Sequence, residues 1–217
     1  MKGYAGTGKT SLVSAFIQII GKMNYSSMLL APTGRAAKVI SNYSKRRAFT
    51  IHKIIYEYKF VAGRNETSVR KNKSKNTIYI VDEASMISDG GSYERSLLDD
   101  LVEYVYSGKN CRMVFIGDIA QLPPVGKSLS PALDPKFLIV NYYLKLKGVE
   151  LTQVLRQANE SGILHNATDI RKQTQERQPK LKFNLNGFDD VRRIDGVELE
   201  DELNTCYAKY GAEETIV

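Results

Sequence analysis

The chain has 217 residues, 42% of them hydrophobic and 25% charged, with a net charge of +7. That composition belongs to an ordinary globular chain with one good core and part of a second. No apolar run approaches the ~20 residues that cross a bilayer, and the N-terminus runs straight into a motif without a leader, so the expectation is a cytoplasmic protein with no membrane partner.

The charge is unevenly placed. From Lys45 to Lys75 there are ten Lys/Arg against two Glu, which leaves the remainder close to neutral. A basic segment on a neutral body points to a polyanion partner. For Arg70-Lys71-Asn72-Lys73-Ser74-Lys75 taken alone, a solvated loop is an equal reading. The two cysteines, Cys111 and Cys206, lack metal-like spacing and read as reduced thiols.

In chain order, the first element is Gly3-Tyr4-Ala5-Gly6-Thr7-Gly8-Lys9-Thr10-Ser11, a G-x-x-x-x-G-K-T phosphate loop. Its glycines let backbone N–H groups turn inward around phosphate oxygens. Lys9 supplies a point charge, and Thr10 offers a hydroxyl to Mg²⁺. A Gly-rich turn before a helix is the competing reading until a second half of the site appears. Only Met1 and Lys2 precede the loop, so the strand that normally leads into it is expected to be nearly absent. Ser11–Ile20 is apolar almost all round and predicts a buried helix, with Gly21 as its stop.

Met28–Ala31 predicts a central parallel strand, followed by a turn into a helix at Pro32-Thr33-Gly34-Arg35-Ala36-Ala37. Thr50–Ile55 predicts a capped short helix. Taken alone, His52 reads as a packed or surface histidine. Tyr56, Tyr58, Phe60 and Val61 alternate, and residues 57–76 predict a hairpin or loop excursion.

Thr77–Val81 predicts a strand that runs directly into Asp82-Glu83-Ala84-Ser85. A carboxylate at the end of a buried strand can hold Mg²⁺, and a second beside it can orient or deprotonate water. This is the second half of the site. Leu97, Leu98, Leu101, Val102 and Val105 form one helical stripe closed by Gly108. Met113–Ile116 predicts another strand, ending in Gly117-Asp118-Ile119-Ala120-Gln121-Leu122-Pro123-Pro124. An amide such as Gln121 just beyond a strand can touch a γ-phosphate, or the loop is simply a rigid Pro-Pro turn.

Phe137–Val140 predicts a further strand. Ile163, Leu164, Ala167 and Ile170 predict a helix with one apolar face. The polar stretch after Gln173, with Pro179, reads as a linker. A helix is expected around Glu198–Tyr207, and Glu214–Val217 reads as the opening of a strand.

Together the blocks GYAGTGKTS, APTGRAA, TIHKII, IVDEASMI, IGDIAQLPPVG and LTQVLRQ resemble superfamily 1 DNA helicases of the RecD-like branch, which includes the Pif-type enzymes. They fall in family order across residues 3–175. The resemblance implies an α/β, RecA-like P-loop NTPase domain with a mostly parallel sheet flanked by helices. It implies a nucleotide site made of Gly3, Ala5, Gly6, Thr7, Gly8, Lys9, Thr10 and Ser11, with ATP and Mg²⁺ as ligands and Thr10 and Asp82 on the metal. Glu83 would be the catalytic base, and Gln121 and Arg156 would contact the γ-phosphate. Thr33, Arg35, Thr50 and His52 would face single-stranded DNA or single-strand/duplex junctions, along which the family moves 5′ to 3′. ATP binding would close two RecA-like domains and hydrolysis would reopen them.

Two family features are not in this sequence: an adenine-reading glutamine ahead of the phosphate loop, and a second motor domain that supplies an arginine. The expected layout is a first motor domain at 1–160, a helix and linker at 161–180, and the opening of a second motor domain at 181–217, with weak hydrolysis on its own. Two other readings compete: a P-loop ATPase of another class, and a nucleic-acid-binding module with little hydrolysis.

Overall fold

The computed structural model describes residues 1–4, 6–61, 64–90, 96–121, 123–153, 161–173, 180 and 182–215. The chain divides into two compact units, Met1–Arg156 and Gln157–Val217.

The first unit is a three-layer α/β/α arrangement. Its elements in order are β1 (Lys2–Gly3), α1 (Lys9–Lys22), β2 (Ser26–Ala31), α2 (Gly34–Ser44), β3 (Ala48–Thr50), α3 (Ile51–Ile55), β4 (Tyr56–Val61), β5 (Arg64–Val69), β6 (Thr77–Val81), α4 (Leu97–Ser107), β7 (Arg112–Phe115), α5 (Pro135–Tyr142) and β8 (Glu150–Leu151). Four strands form a sheet in the order β3-β2-β6-β7, and every pairing in it is parallel. The short β1 pairs in parallel with β8. It also bridges to Gly117, just past β7. The strand ahead of the phosphate loop, expected to be nearly absent, is thus two residues long and held from both sides.

Alternation along each strand decides which layer a residue enters. Leu29, Ile80 and Ile116 pack with Val13 and Ile17 of α1 and Ile40 of α2. Leu30, Tyr79 and Val81 pack with Ile51, Ile55 and the buried stripe of α4 on the opposite face. Buried strands of this kind with helices on both sides require crossover connections. Those crossovers bring the loops after β1, β2, β6 and β7 to the carboxyl edge of the sheet, where open α/β folds bind ligands.

The expected hairpin forms as β4 and β5, antiparallel with Tyr56 opposite Val69. The basic stretch after it is not a free loop. Asn72 is buried, and its Nδ2 donates to the Tyr104 carbonyl at 2.9 Å at the end of α4. Its Oδ1 accepts from the Ser74 N–H at 2.9 Å and lies 3.1 Å from the Tyr79 hydroxyl. Gly108 is the residue that admits this cap, because a Cβ there would stand 2.6 Å from Asn72 Nδ2.

Three expectations change. Phe137–Val140 lies inside helix α5, not a strand. Asp134 accepts from the Lys136 and Phe137 N–H groups, and Pro135 takes the first helical position, a start signal that outweighs a four-residue apolar run. α1 buries one face only: Leu12 and Ile19 are 44% and 53% exposed. It also runs through Gly21 to Lys22, and the left-handed turn falls at Asn24 instead. At the far end, Glu214 lies in a turn, not a strand, and Ile216 and Val217 fall outside the described residues.

The second unit contains α6 (Gly162–Gln173) and α7 (Leu199–Tyr210). Asp190 caps α6, accepting from the Gly162 N–H and the Ser161 hydroxyl at 2.7 Å each. The side chain of Asn166 exchanges hydrogen bonds with the Asn184 backbone. The covered side of α6 is therefore the one carrying Gly162 and Asn166, and Ile163 on the expected apolar face is 63% exposed. The expected linker falls on 174–179, outside the described residues but for Lys180.

Candidate functional site

A cleft of about 830 Å³ opens above β1, lined by Gly6, Thr7, Gly8, Lys9, Thr10 and Ser11 together with Tyr43 and Leu151. The loop's shape follows from its sequence. Gly6 and Gly8 have φ of 77° and 81°, a left-handed conformation that costs a residue with a Cβ roughly 1–2 kcal/mol. A Cβ at Gly3 would stand 2.8 Å from Thr7 Oγ1. Thr7 in turn donates its hydroxyl to the Tyr4 carbonyl at 2.7 Å. Ala5 falls outside the described residues.

The start of α1 differs from its neighbours. Thr33, Thr50, Ser96 and Asp134 each accept a helix-starting N–H at the head of α2, α3, α4 and α5. At α1 the capping position is Gly8, with no side-chain cap and no acidic residue in the first turn. The free N–H groups and the positive dipole end therefore face the cleft, which suits an anion. Lys9 Nζ donates to the Gly3 and Tyr4 carbonyls at 2.9 Å each, which holds the ammonium at the loop.

The acidic half comes from the end of β6. Burial pushes the Asp82 carboxyl up to about 6; the Glu83 N–H opposes this, the Glu83 charge adds to it, and the Lys9 ammonium opposes it. Lys9 and Asp82 are thus within Coulombic reach of each other. Glu83 has φ of 52°, a strained conformation of the kind that concentrates at functional sites. It is held because both flanks are pinned. The Asp82 N–H donates to the Leu30 carbonyl at 2.9 Å, and the Ala84 N–H to the Ile116 carbonyl at 2.8 Å. Glu83 Oε2 is buried without a hydrogen-bond partner. An orphaned carboxylate oxygen is costly and marks a place for a proton donor, water or cation.

The donor set fits Mg²⁺. Among the described residues no group of three or more His, Cys, Asp or Glu forms a metal cage. Mg²⁺ uses few protein ligands, keeps water and shares substrate phosphates, which matches one hydroxyl, Thr10, and one carboxylate, Asp82.

Gln121 is exposed in the loop after β7, where its Oε1 accepts from the Ser85 hydroxyl at 2.9 Å. Ser85 was not singled out from sequence, and it links this amide to the strained acidic turn. Gly117, read from the sequence only as the end of a strand, also shapes the site. A Cβ there would stand 3.1 Å from the Ser85 backbone nitrogen and 2.8 Å from Leu133 Cδ1, so glycine lets the two loops approach. Of the expected nucleic-acid residues, Thr33 and Thr50 spend their hydroxyls on capping α2 and α3. Arg35 and His52 are exposed, and His52 packs 5.6 Å from the Tyr56 ring. Arg156 falls outside the described residues.

This fold and this loop define a nucleotide-binding domain of the P-loop class. The profile of a family described as "AAA domain" matches residues 1–187. The ATP-dependent RecD2 DNA helicase of Deinococcus radiodurans is 31% identical over 170 residues, which cover 77% of this chain and 21% of that protein. The ATP-dependent DNA helicase dda of Enterobacteria phage T4 is 32% identical over 179 residues, covering 79% of this chain and 37% of that protein. The crystal structure of Pif1 helicase from Candida albicans shares the fold, with a TM-score of 0.50 at 19% identity over 79% of this chain and 39% of that one. The chain belongs to this AAA-domain family. It spans about a fifth to somewhat over a third of the length of the two helicase relatives. No helix among the described residues is long and apolar enough to cross a membrane.

Proposed function

We propose that this chain binds ATP with Mg²⁺ in the cleft above β1 and hydrolyses it as the first motor domain of a DNA helicase that moves 5′ to 3′ on single strands and works at single-strand/duplex junctions. The domain reading goes with it: a motor domain at 1–160, a helix and linker at 161–180, and the start of a second motor domain at 181–217. The observation that carries the proposal is the unpartnered Glu83 Oε2 beside a carboxyl raised by burial, within reach of the charge on Lys9.

In this reading Lys9 exchanges the Gly3 and Tyr4 carbonyls for phosphate oxygens, and the uncapped N–H groups of α1 hold the same anion. Thr10 and Asp82 hold Mg²⁺, which when bound neutralises phosphate charge and favours attack at the γ-phosphorus. Glu83 orients the attacking water and takes its proton as the bond to the γ-phosphorus forms. The bond from that phosphorus to the bridging oxygen breaks, leaving ADP and phosphate. Gln121 and Arg156 contact the γ-phosphate. The bond between Gln121 and Ser85 gives the acidic turn a way to feel its loss. Arg35 and His52 face the single strand.

The test is titration of a fluorescent ATP analogue with and without Mg²⁺, followed by hydrolysis with single-stranded DNA. Lys9→Ala is expected to weaken binding by at least about 100-fold, because it removes a charge-assisted contact in a poorly solvated loop. Unchanged affinity in that variant refutes the site.

A further inference from the structure

A smaller cleft, of about 240 Å³, adjoins the nucleotide cleft and shares Thr7 and Leu151 with it. Its other lining residues are Glu150, Thr152 and Gln153. The sheet register puts them there. β8 pairs in parallel with β1, Gly3 opposite Leu151, so the chain leaving β8 runs beside the chain entering the phosphate loop. Gly3 sets how close the two come, because a Cβ there would stand 3.1 Å from Leu151 Cβ. Thr152 and Gln153 therefore follow β8 at the carboxyl edge next to the loop, and both are exposed, as is Glu150. The two clefts differ in charge. The larger one holds Lys9 and the uncapped start of α1, whereas the described lining of the smaller one has one carboxylate and no cation. A phosphate in the smaller cleft would face Glu150 without a counter-charge, while in the larger it meets an ammonium and a positive helix end. A ligand with an anionic end and a neutral end has one favourable orientation across the pair.

We infer that the smaller cleft takes the base of the bound nucleotide and that Gln153, with Glu150 beside it, selects adenine. The inference rests on the ATP reading above and deepens it, from the phosphates to the base. A glutamine amide presents one acceptor oxygen and a donor NH₂ group side by side. Adenine presents the complementary pair, a six-amino donor next to a ring-nitrogen acceptor, which an amide meets with two hydrogen bonds. Guanine and hypoxanthine carry a six-keto oxygen in place of that amino group. The keto oxygen would face the amide oxygen and the Glu150 carboxylate, all three of them acceptors, and such a mismatch rejects a ligand as effectively as a good contact holds one. Leu151 lines both clefts and offers apolar contact to a ring that spans them. Gln153 is a specificity-determining residue in this scheme and has no part in the bond that breaks.

The experiment displaces a ribose-labelled fluorescent ATP analogue with ATP and with ITP, in Mg²⁺, from the wild-type chain and from Gln153→Ala. ITP carries a keto oxygen where ATP carries the six-amino group, so the ratio of the two affinities isolates the base contact. The wild type should prefer ATP by at least about fivefold, the low end of what a bidentate amide contact discriminates. In Gln153→Ala the preference should fall to within about twofold of none, mainly because ATP binds more weakly. Glu150→Gln removes a negative acceptor from the path of the keto oxygen, so it should narrow the preference by improving ITP. Gln153 is exposed, and a purely structural role for it would weaken both nucleotides alike and leave the ratio at the wild-type value. If the wild type binds ATP and ITP equally, or if Gln153→Ala keeps the wild-type ratio, the base assignment is overturned and the phosphate site stands. If the wild type binds neither nucleotide, both fall.

Discussion

The acidic turn after β6 and the basic arm from Lys45 to Lys75 carry opposite charge in opposite surroundings. At the turn, two carboxylates sit at the end of a buried strand, one with its pKa pushed up to about 6 and the other with an oxygen lacking any partner. Along the arm, Lys45, Arg46, Arg47, Arg70, Lys71 and Lys73 all face solvent, and the order comes from uncharged anchors such as Asn72 and Phe49. The first region stores electrostatic free energy through burial, whereas the second carries only solvent-screened repulsion at the surface. Changing a charge should therefore alter chemistry or stability strongly at the turn, while along the arm it should alter salt-dependent association and a small, salt-screened part of stability.

The largest expected effect is at the turn. Glu83→Gln keeps shape and hydrogen-bonding capacity but removes the proton acceptor. ATP turnover with single-stranded DNA should drop by about 10²–10⁴, the usual range for a positioned general base. Affinity for the ATP analogue should stay within about threefold. Single-turnover hydrolysis measures this, and a variant that hydrolyses normally removes Glu83 from the chemistry.

Asp82→Asn tests the stored free energy directly. An unfolded aspartate titrates near 3.8 and the folded one near 6. Below 3.8 both states are protonated, and as pH rises to 6 the folded state holds its proton longer. The wild-type protein without nucleotide therefore loses stability across that window, by an amount on the order of 2–3 kcal/mol. The asparagine variant has no such loss, so it should be more stable than wild type at pH 7–8 and equal to it near pH 3–4. Denaturant melts at several pH values decide the matter. A pH-independent difference between the two proteins assigns the effect to packing instead.

How much of each region could be read from sequence follows the same division. The phosphate loop, β6 running into Asp82-Glu83, and the strand ending at Gly117 were legible because a backbone requirement dictates residue type there: glycine where φ is positive, apolar runs where a strand is covered on both faces. Thr50 and the hairpin after it were legible from capping and alternation. α5 was misread because Phe137–Val140 is too short for its periodicity to separate helix from strand, and the deciding signal, Asp134-Pro135, lies outside the apolar run. Ser85 was missed because its partner Gln121 is 36 residues away and bonded to it only in the fold.

On the arm, the anchor should matter more than the charges. Asn72→Ala removes one buried partner each from the Tyr104 carbonyl, which keeps the Ser107 hydroxyl, and from the Tyr79 hydroxyl, which keeps Ser74 Oγ. That should cost about 0.5–1.5 kcal/mol while ATP-analogue affinity stays unchanged. A denaturant midpoint equal to wild type indicates that the arm is not held where the fold places it.

The smallest effect should come from Arg70→Gln/Lys71→Gln/Lys73→Gln, and its sign is the informative part. These three cations lie in a stretch with ten Lys/Arg and two Glu, so like charge dominates around them, with Glu57 within Coulombic reach of Arg70. Removing them relieves repulsion in the folded state, and the variant should melt slightly higher than wild type at about 0.01 M salt, where screening extends only over ~30 Å. At 1 M salt the screening length falls to ~3 Å and the difference should vanish. Asn72→Ala, in contrast, should keep its deficit at both salt concentrations, because a missing hydrogen bond is not screened. If the triple variant melts lower than wild type at low salt, its cations are paired in the folded state, and the contrast between a charge-storing turn and a freely solvated arm breaks at the arm.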